Sequence, residues 1–473
     1  MEVKVTKKDV LFGYIAQIFN YGTGIIVLPV ILHKLSASEI GMNYVMLSVG
    51  ALAQMVDFGF SGQIGRNVTY VLSGANKIFR GQIETIGNRN EIDYKLLRTI
   101  IDASKFLYRR LSIAVLLLLL TLGTLYMSHV TEGFTNVKNS LPIWILYSIG
   151  VYFNIYFLYY NSLLTGAGLV MEQKLSTIYS RITYIVLCFS LIFSGFGLIS
   201  VVIANIISPF VARFYSYQKF YSKEMRSRLP YEKAPKEEVK SALSDIWMTA
   251  KKSGTNTIGH YIGTQGSTFI AGAFLPLTVT AQWGLMTQLF SVVHGLASNM
   301  GISFYPEYCK LRLRGERDTF IKKASLSTAL MIAILFLGGM AIIILGPWLV
   351  KLIGSQTTMP DTSLMIFYML YMLILTNAQL FAMMMSSRNV IPSPIAVLST
   401  SFGQIILTIA LLHFTNLGIW ALLLGPAISG GSYTLWKWME AELNEIKISA
   451  FKFYSIGLKE LFAYVTLLIN RCK

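Results

Sequence analysis

Few side chains in this sequence combine a reactive type with a suggestive spacing. Tyr14, Gln17, Tyr21 and Gly24 recur at three- and four-residue steps, with Asn20 beside them. Thr257, His260, Tyr261, Thr264, Gln265 and Thr268 repeat that pattern further along. Such spacing puts each set on one face of a helix. A handful of ionisable groups stand in otherwise apolar surroundings: Asp57, Arg66, Arg181, Arg213, His260 and His294. Arginines with few acids nearby suit an anion, because a guanidinium meets phosphate oxygens two at a time. Asp57 and His260 are the groups expected to load and release a coupling ion or proton. No catalytic constellation accompanies them. There is no Gly-x-x-x-x-Gly-Lys-Ser/Thr phosphate loop, hence no sign of a bound nucleotide engine. Cys188, Cys309 and Cys472 are too few and too far apart for a metal cluster or a disulfide framework. The expectation is a protein with no catalytic residue, no metal and no cofactor, driven by gradients.

The elements that must position these groups are set by composition. Hydrophobic residues make up 54 % and charged residues 13 % of the 473, and mean hydropathy is +0.56. A water-facing globule carries about 25 % charged residues, so a soluble fold is excluded. Crossing a bilayer core takes about 20 apolar residues. Twelve such segments occur, at about 10–32, 39–62, 107–128, 141–164, 176–196, 198–218, 253–273, 279–305, 324–349, 361–386, 394–414 and 418–438. The class is an all-α polytopic membrane protein.

Charge gives the orientation. Of 40 Lys and Arg, 35 fall on the side shared by the two termini and only Lys34, Lys138 and Lys351 on the other, Arg181 and Arg213 lying within spans. The positive-inside rule then puts both termini in the cytoplasm. It also accounts for most of the +17 net charge, so nucleic acid is not an expected partner, whereas anionic lipids are. The first span follows Lys4, Lys7 and Lys8 but is too long for a signal peptide and lacks a cleavage site. The tail 448–470 has a helical apolar face interrupted by Lys452, Lys459 and Glu460, which reads as an interfacial helix on the cytoplasmic leaflet.

A weak repeat divides the spans six and six around the basic segment 219–252. Lys7-Lys8 falls near Lys251-Lys252 and Pro29 near Pro276 when the chain is shifted onto itself. The expected organisation is a lobe over 1–218, a basic cytoplasmic linker over 219–252, a second lobe over 253–438 and a tail over 439–473. An even span count per half relates the lobes by a pseudo-two-fold axis along the membrane normal. The two polar stripes lie on equivalent spans, one per lobe. Facing each other, they would line a hydrated central cavity, while the alternative for each is a seam of interhelical hydrogen bonds. Arg181 is the best-placed cavity arginine, and Arg213 is close enough to an interface to snorkel.

Leu28-Pro29-Val30-Ile31-Leu32, then Leu35-Ser36-Ala37-Ser38-Glu39-Ile40-Gly41, and Asp57-Phe58-Gly59-Phe60 followed by Arg66 resemble the polysaccharide transporter family. These are Wzx-type flippases of lipid-linked O-antigen repeat units, in one superfamily with multidrug exporters and the lipid II flippase. The motif-level likeness covers mainly residues 1–70. It implies alternating access by two six-helix lobes in a bacterial inner membrane, and a cationic cavity whose cargo is an undecaprenyl-diphosphate-linked oligosaccharide of lipopolysaccharide biosynthesis. Other polysaccharide-assembly membrane proteins would be partners. The cavity residues expected from chain and resemblance together are Arg181, Arg213, Arg66, Gln17, Asn20, Thr257, His260, Thr264 and Thr268. Two alternatives remain at this stage. A multidrug or cation antiporter would want more acids in the first lobe, and a glycan polymerase or ligase would want a large extracytoplasmic loop.

Overall fold

The structure is a computed structural model that describes residues 7–78, 92–388, 390 and 392–472. It is built of helices, with no strand among the described residues. The chain forms two compact units, Met1–Tyr261 and Ile262–Lys473. In the first lie α1 (Lys7–Lys34), α2 (Ala37–Ala53), α3 (Phe60–Leu72), α4 (Tyr94–Leu118), α5 (Thr124–Val130), α6 (Ser140–Tyr156), α7 (Tyr159–Gly166), α8 (Val170–Phe193), α9 (Leu198–Phe220) and the short α10 (Lys223–Arg228). Helix α11 (Lys236–Phe274) carries the chain into the second unit. There follow α12 (Leu277–Leu313), α13 (Arg317–Leu352), α14 (Thr362–Ser386), α15 (Pro394–Phe414), α16 (Ala421–Gly431), α17 (Thr434–Glu445) and α18 (Ala450–Cys472).

All twelve expected spans fall on these helices, several of them broken. Seven helices are long and apolar enough to cross a membrane, or eight if α2 and α3 count as one bent span, among the described residues. The protein is an all-α polytopic membrane protein.

Local chemistry explains where helices start and break. Ser36 and Glu39 form a capping box on α2: the Ser36 amide donates to Glu39 Oε2 at 2.9 Å and the Glu39 amide to Ser36 Oγ at 3.3 Å. Asp93 caps α4 through the Leu96 amide at 2.9 Å. Pro394 opens α15 at a position where its missing N–H costs nothing. The second span breaks by 43°, because Phe58 and Gly59 both adopt left-handed backbone, φ 47° and 79°. Asp57 secures the far side of that break. Its carboxylate accepts from the Ser61 amide at 3.2 Å and the Ser61 hydroxyl at 2.7 Å, and Tyr108 donates to it as well. A carboxylate just ahead of α3 complements the positive end of the helix.

In the first unit α1 packs along α8, α8 along α9, and α6 against α4 and α9. Helix α7 is clamped to α3 through glycines. The Thr69 hydroxyl donates to the Gly166 carbonyl at 2.9 Å. A Cβ on Gly166 would stand 2.5 Å from the Gly65 carbonyl oxygen, whereas one on Gly65 would stand 3.3 Å from that of Ser162. The contact fixes the height and rotation of α7, and with it Asn161.

In the second unit the core gathers Tyr308, Phe320, Phe381, Met384, Trp438 and Phe453. At one end of this bundle Glu442, fully buried, pairs with Arg312 and with Arg388 (3.4 Å), and Arg388 also meets Glu445 at 3.4 Å. A buried carboxylate is tolerable only when so paired.

The clamp has a measurable consequence. Gly166→Ala drives a methyl into backbone and is expected to cost about 1–3 kcal/mol, lowering the Tm of the purified protein in detergent. Gly65→Ala, with more room, lowers it less. Equal, unchanged Tm values would show that α3 and α7 are not held by this contact.

Candidate functional site

A cavity of about 300 Å³ lies wholly within the first unit, bounded by α2, α6, α7, α8 and α9. That is room for roughly ten waters at ~30 Å³ each. Arg181 on α8 and Arg213 on α9 both line it, with Gln54, Asn154, Asn161 and Asn205 among the polar groups around them. No Asp or Glu does.

How the two guanidiniums are held decides what the cavity can do. Arg213 Nη1 donates to Asn161 Oδ1 on α7. Its Nε is buried and has no hydrogen-bond partner. Arg181 Nη2 donates to Asn20 Oδ1 on α1. Each charge is thus met by a neutral carboxamide, which orients it without cancelling it. Taking an ion out of water costs several kcal/mol unless an opposite charge compensates. Two such cations around a space free of carboxylates make a site whose missing partner is an anion.

The sequence-derived candidates distribute unevenly over this geometry. Arg181 and Arg213 come together at the cavity, and Asn20 reaches it through Arg181. Arg66 is exposed on α3 and is not part of the lining. Asp57 also lies outside the lining, engaged at the start of α3 by Ser61 and Tyr108. The side chains of Gln17, Thr257 and His260, with those of Tyr14 and Tyr21, lie outside the described residues. On α11, Thr264 is exposed and Thr268 buried. Gln404 Nε2 on α15 donates to the carbonyls of Ile262 and Gly263, both at 3.1 Å, so α15 packs against the Ile262–Gly263 side of α11. His294 Nδ1 is 2.9 Å from Thr376 Oγ1 on α14.

Asn154, Asn161 and Asn205 escaped notice in the sequence because each stands alone in an aromatic or aliphatic run. A signal was present: Asn154 and Asn161 are seven residues apart on one span. Pro209 is another. A proline inside a helix frees the carbonyl four residues earlier, here that of Asn205, and both residues line the cavity.

No family model and no curated protein sequence matches the chain. Solved structures do. A lipid II flippase MurJ in an inward closed conformation aligns with a TM-score of 0.61 at 14 % identity, covering 98 % of this chain and 92 % of that one. A multidrug resistance MATE family transporter of the MOP superfamily, inward-facing, aligns with a TM-score of 0.60 at 15 % identity, over 93 % of this chain and 98 % of that one. The chain has the fold of MOP-superfamily transporters. At these identities the likeness is one of fold, and what a MOP-fold protein of this sequence carries must be argued from its own side chains.

The uncompensated charge predicts an unusual mutant. Asn161→Asp places a carboxylate against Arg213 with almost no change of shape. A hydrogen bond to a charged partner is worth about 1 kcal/mol more than a neutral one, so the variant is expected to melt at a higher temperature than the parent. A lower Tm would mean that Arg213 already has a counter-charge.

Proposed function

We propose that this protein is a flippase that moves an undecaprenyl-diphosphate-linked oligosaccharide, an O-antigen or related surface-polysaccharide unit, from the cytoplasmic to the periplasmic leaflet of the inner membrane. The observation that carries this reading is the pair of guanidiniums, Arg181 and Arg213, held by carboxamides around a first-unit cavity without carboxylates. It is supported by the MOP transporter fold and by the likeness of residues 1–70 to polysaccharide transporters.

The physics of the cargo matches the site. A diphosphate stranded in hydrocarbon loses its hydration and has no counter-charge. Guanidiniums poised in a low-dielectric cavity replace both. A space of about 300 Å³ admits the charged head but not an oligosaccharide, so the glycan must be carried outside it. The polyprenyl tail is as apolar as the bilayer and never needs to leave it. Alternating access then moves the head group without opening a continuous ion path. A cationic drug, by contrast, would meet two repelling charges and no acid in this cavity.

Complementation tests the proposal. In cells lacking the protein, the lipid-linked glycan is expected to accumulate on the cytoplasmic leaflet, and the parent gene to clear it. Charge-assisted bonds to a desolvated phosphate are worth about 1.5–3 kcal/mol, so Arg213→Ala or Arg181→Ala should slow clearance tenfold or more. Arg181→Lys restores part, since an ammonium cannot bind bidentately. Asn161→Asp abolishes clearance although it stabilises the fold. Full activity of Asn161→Asp at normal expression would remove the anion site from the mechanism.

A further inference from the structure

The C-terminal helix α18 ends a path that the loop charges alone do not describe. Arg312, at the end of α12, and Arg388, just after α14, both grip Glu442 near the end of α17. Arg317, at the start of α13, donates from Nε to the carbonyl of Ile446 at 2.9 Å. These helix ends therefore share one side, the side of the basic loops. The chain reverses there: Lys447 takes left-handed backbone, φ 50°, and the Lys452 amide donates to Ser449 Oγ at 3.4 Å to start α18.

From that reversal α18 heads back among the spans. The Tyr454 hydroxyl donates to Asn377 Oδ1 at 3.0 Å, nine residues inside the end of α14, and lies 3.3 Å from Met439 Sδ on α17. Phe453 is fully buried, 5.4 Å from the ring of Phe381. Gly457 then seats on α13, where a Cβ would lie 2.5 Å from the Ser325 carbonyl oxygen. Two tie points fix the direction. Ile446 is level with Arg317 and Gly457 with Ser325, so α18 and α13 advance the same way, and the two helices pack along one another.

From this parallel course, we infer that α18 is inserted into the hydrocarbon alongside α13, a thirteenth membrane-embedded helix, and does not lie flat on the leaflet. Its 23 residues reach about 34 Å at 1.5 Å each, enough to cross a core of about 30 Å. Its outward face presents Phe451, Leu458 and Phe462, exposed to 86 %, 54 % and 70 %. Lipid acyl chains cover that face, as they cover the exposed Leu337 and Ile344 of α13. Lys459, exposed and two residues beyond the level of Ser325, sits shallow enough for its stem to return the ammonium to the interface. The C-terminus accordingly leaves the side that carries the basic loops.

Depth-dependent quenching distinguishes an inserted helix from a flat one. Single cysteines at positions 451, 458 and 462, in full-length protein whose Cys188, Cys309 and Cys472 are replaced by alanine, are labelled with bimane and reconstituted in vesicles with doxyl lipids of graded depth. All three side chains are exposed, so folding is preserved, which the Tm confirms. Eleven residues of parallel helix separate 451 from 462 by about 16 Å. The expected result is a stepwise deepening from 451 through 458 to 462, with 462 closed to an impermeant maleimide. Equal shallow depths at all three sites, or labelling of all three from water, would overturn the inference.

Discussion

Inside a bilayer there is no water to complete a polar group's hydrogen bonds, so each group within a span is satisfied by the protein or by what the protein carries. That constraint governs the architecture here. Asp57 is satisfied by Ser61 and Tyr108 and thereby holds a broken helix at its bend. Glu442 is satisfied by two arginines and ties three helix ends together. Arg181 and Arg213 are the exception: their hydrogen bonds go to carboxamides and their charge goes unanswered. Asp57 and Glu442 are held by donors from neighbouring helices, whereas Arg181 and Arg213 line a cavity with only carboxamides against them. That contrast separates scaffold from site.

The polytopic helical class was legible in the sequence because an apolar run of about 20 residues leaves a chain few alternatives. Breaks inside the runs were less legible. The bend at Phe58 and Gly59 has a glycine to mark it, but the break between α6 and α7 at 157–158 lies in unbroken aromatic sequence and follows from packing. The partner of Arg213 could not be found by local pattern at all, since Asn161 is 52 residues away. Sequence spacing sees one helix face at a time, and a cavity lined by five helices has no such period. The Ser36–Glu39 motif shows the opposite case: its spacing is a capping box, visible in the residues and present in the fold.

Asp57 illustrates how a functional expectation and a structural role share one residue. Its isolation among apolar residues suggested ion coupling. Its position just ahead of α3, with two hydrogen bonds from Ser61, gives it work in holding the bend. Any coupling role would have to release those donors. Arg213 moves the other way. Proximity to an interface suggested a snorkelling side chain, yet its guanidinium turns inward to Asn161 with a buried Nε.

The central claim is that the first-unit cavity selects an anionic head group. Transport in proteoliposomes tests it most directly, with a polyprenyl-diphosphate-linked glycan and a lipophilic drug cation offered to the same preparation. The account predicts translocation of the diphosphate lipid, inhibition by added inorganic diphosphate, and no accumulation of the cation. Accumulation of the cation with the diphosphate lipid left in its original leaflet would contradict it.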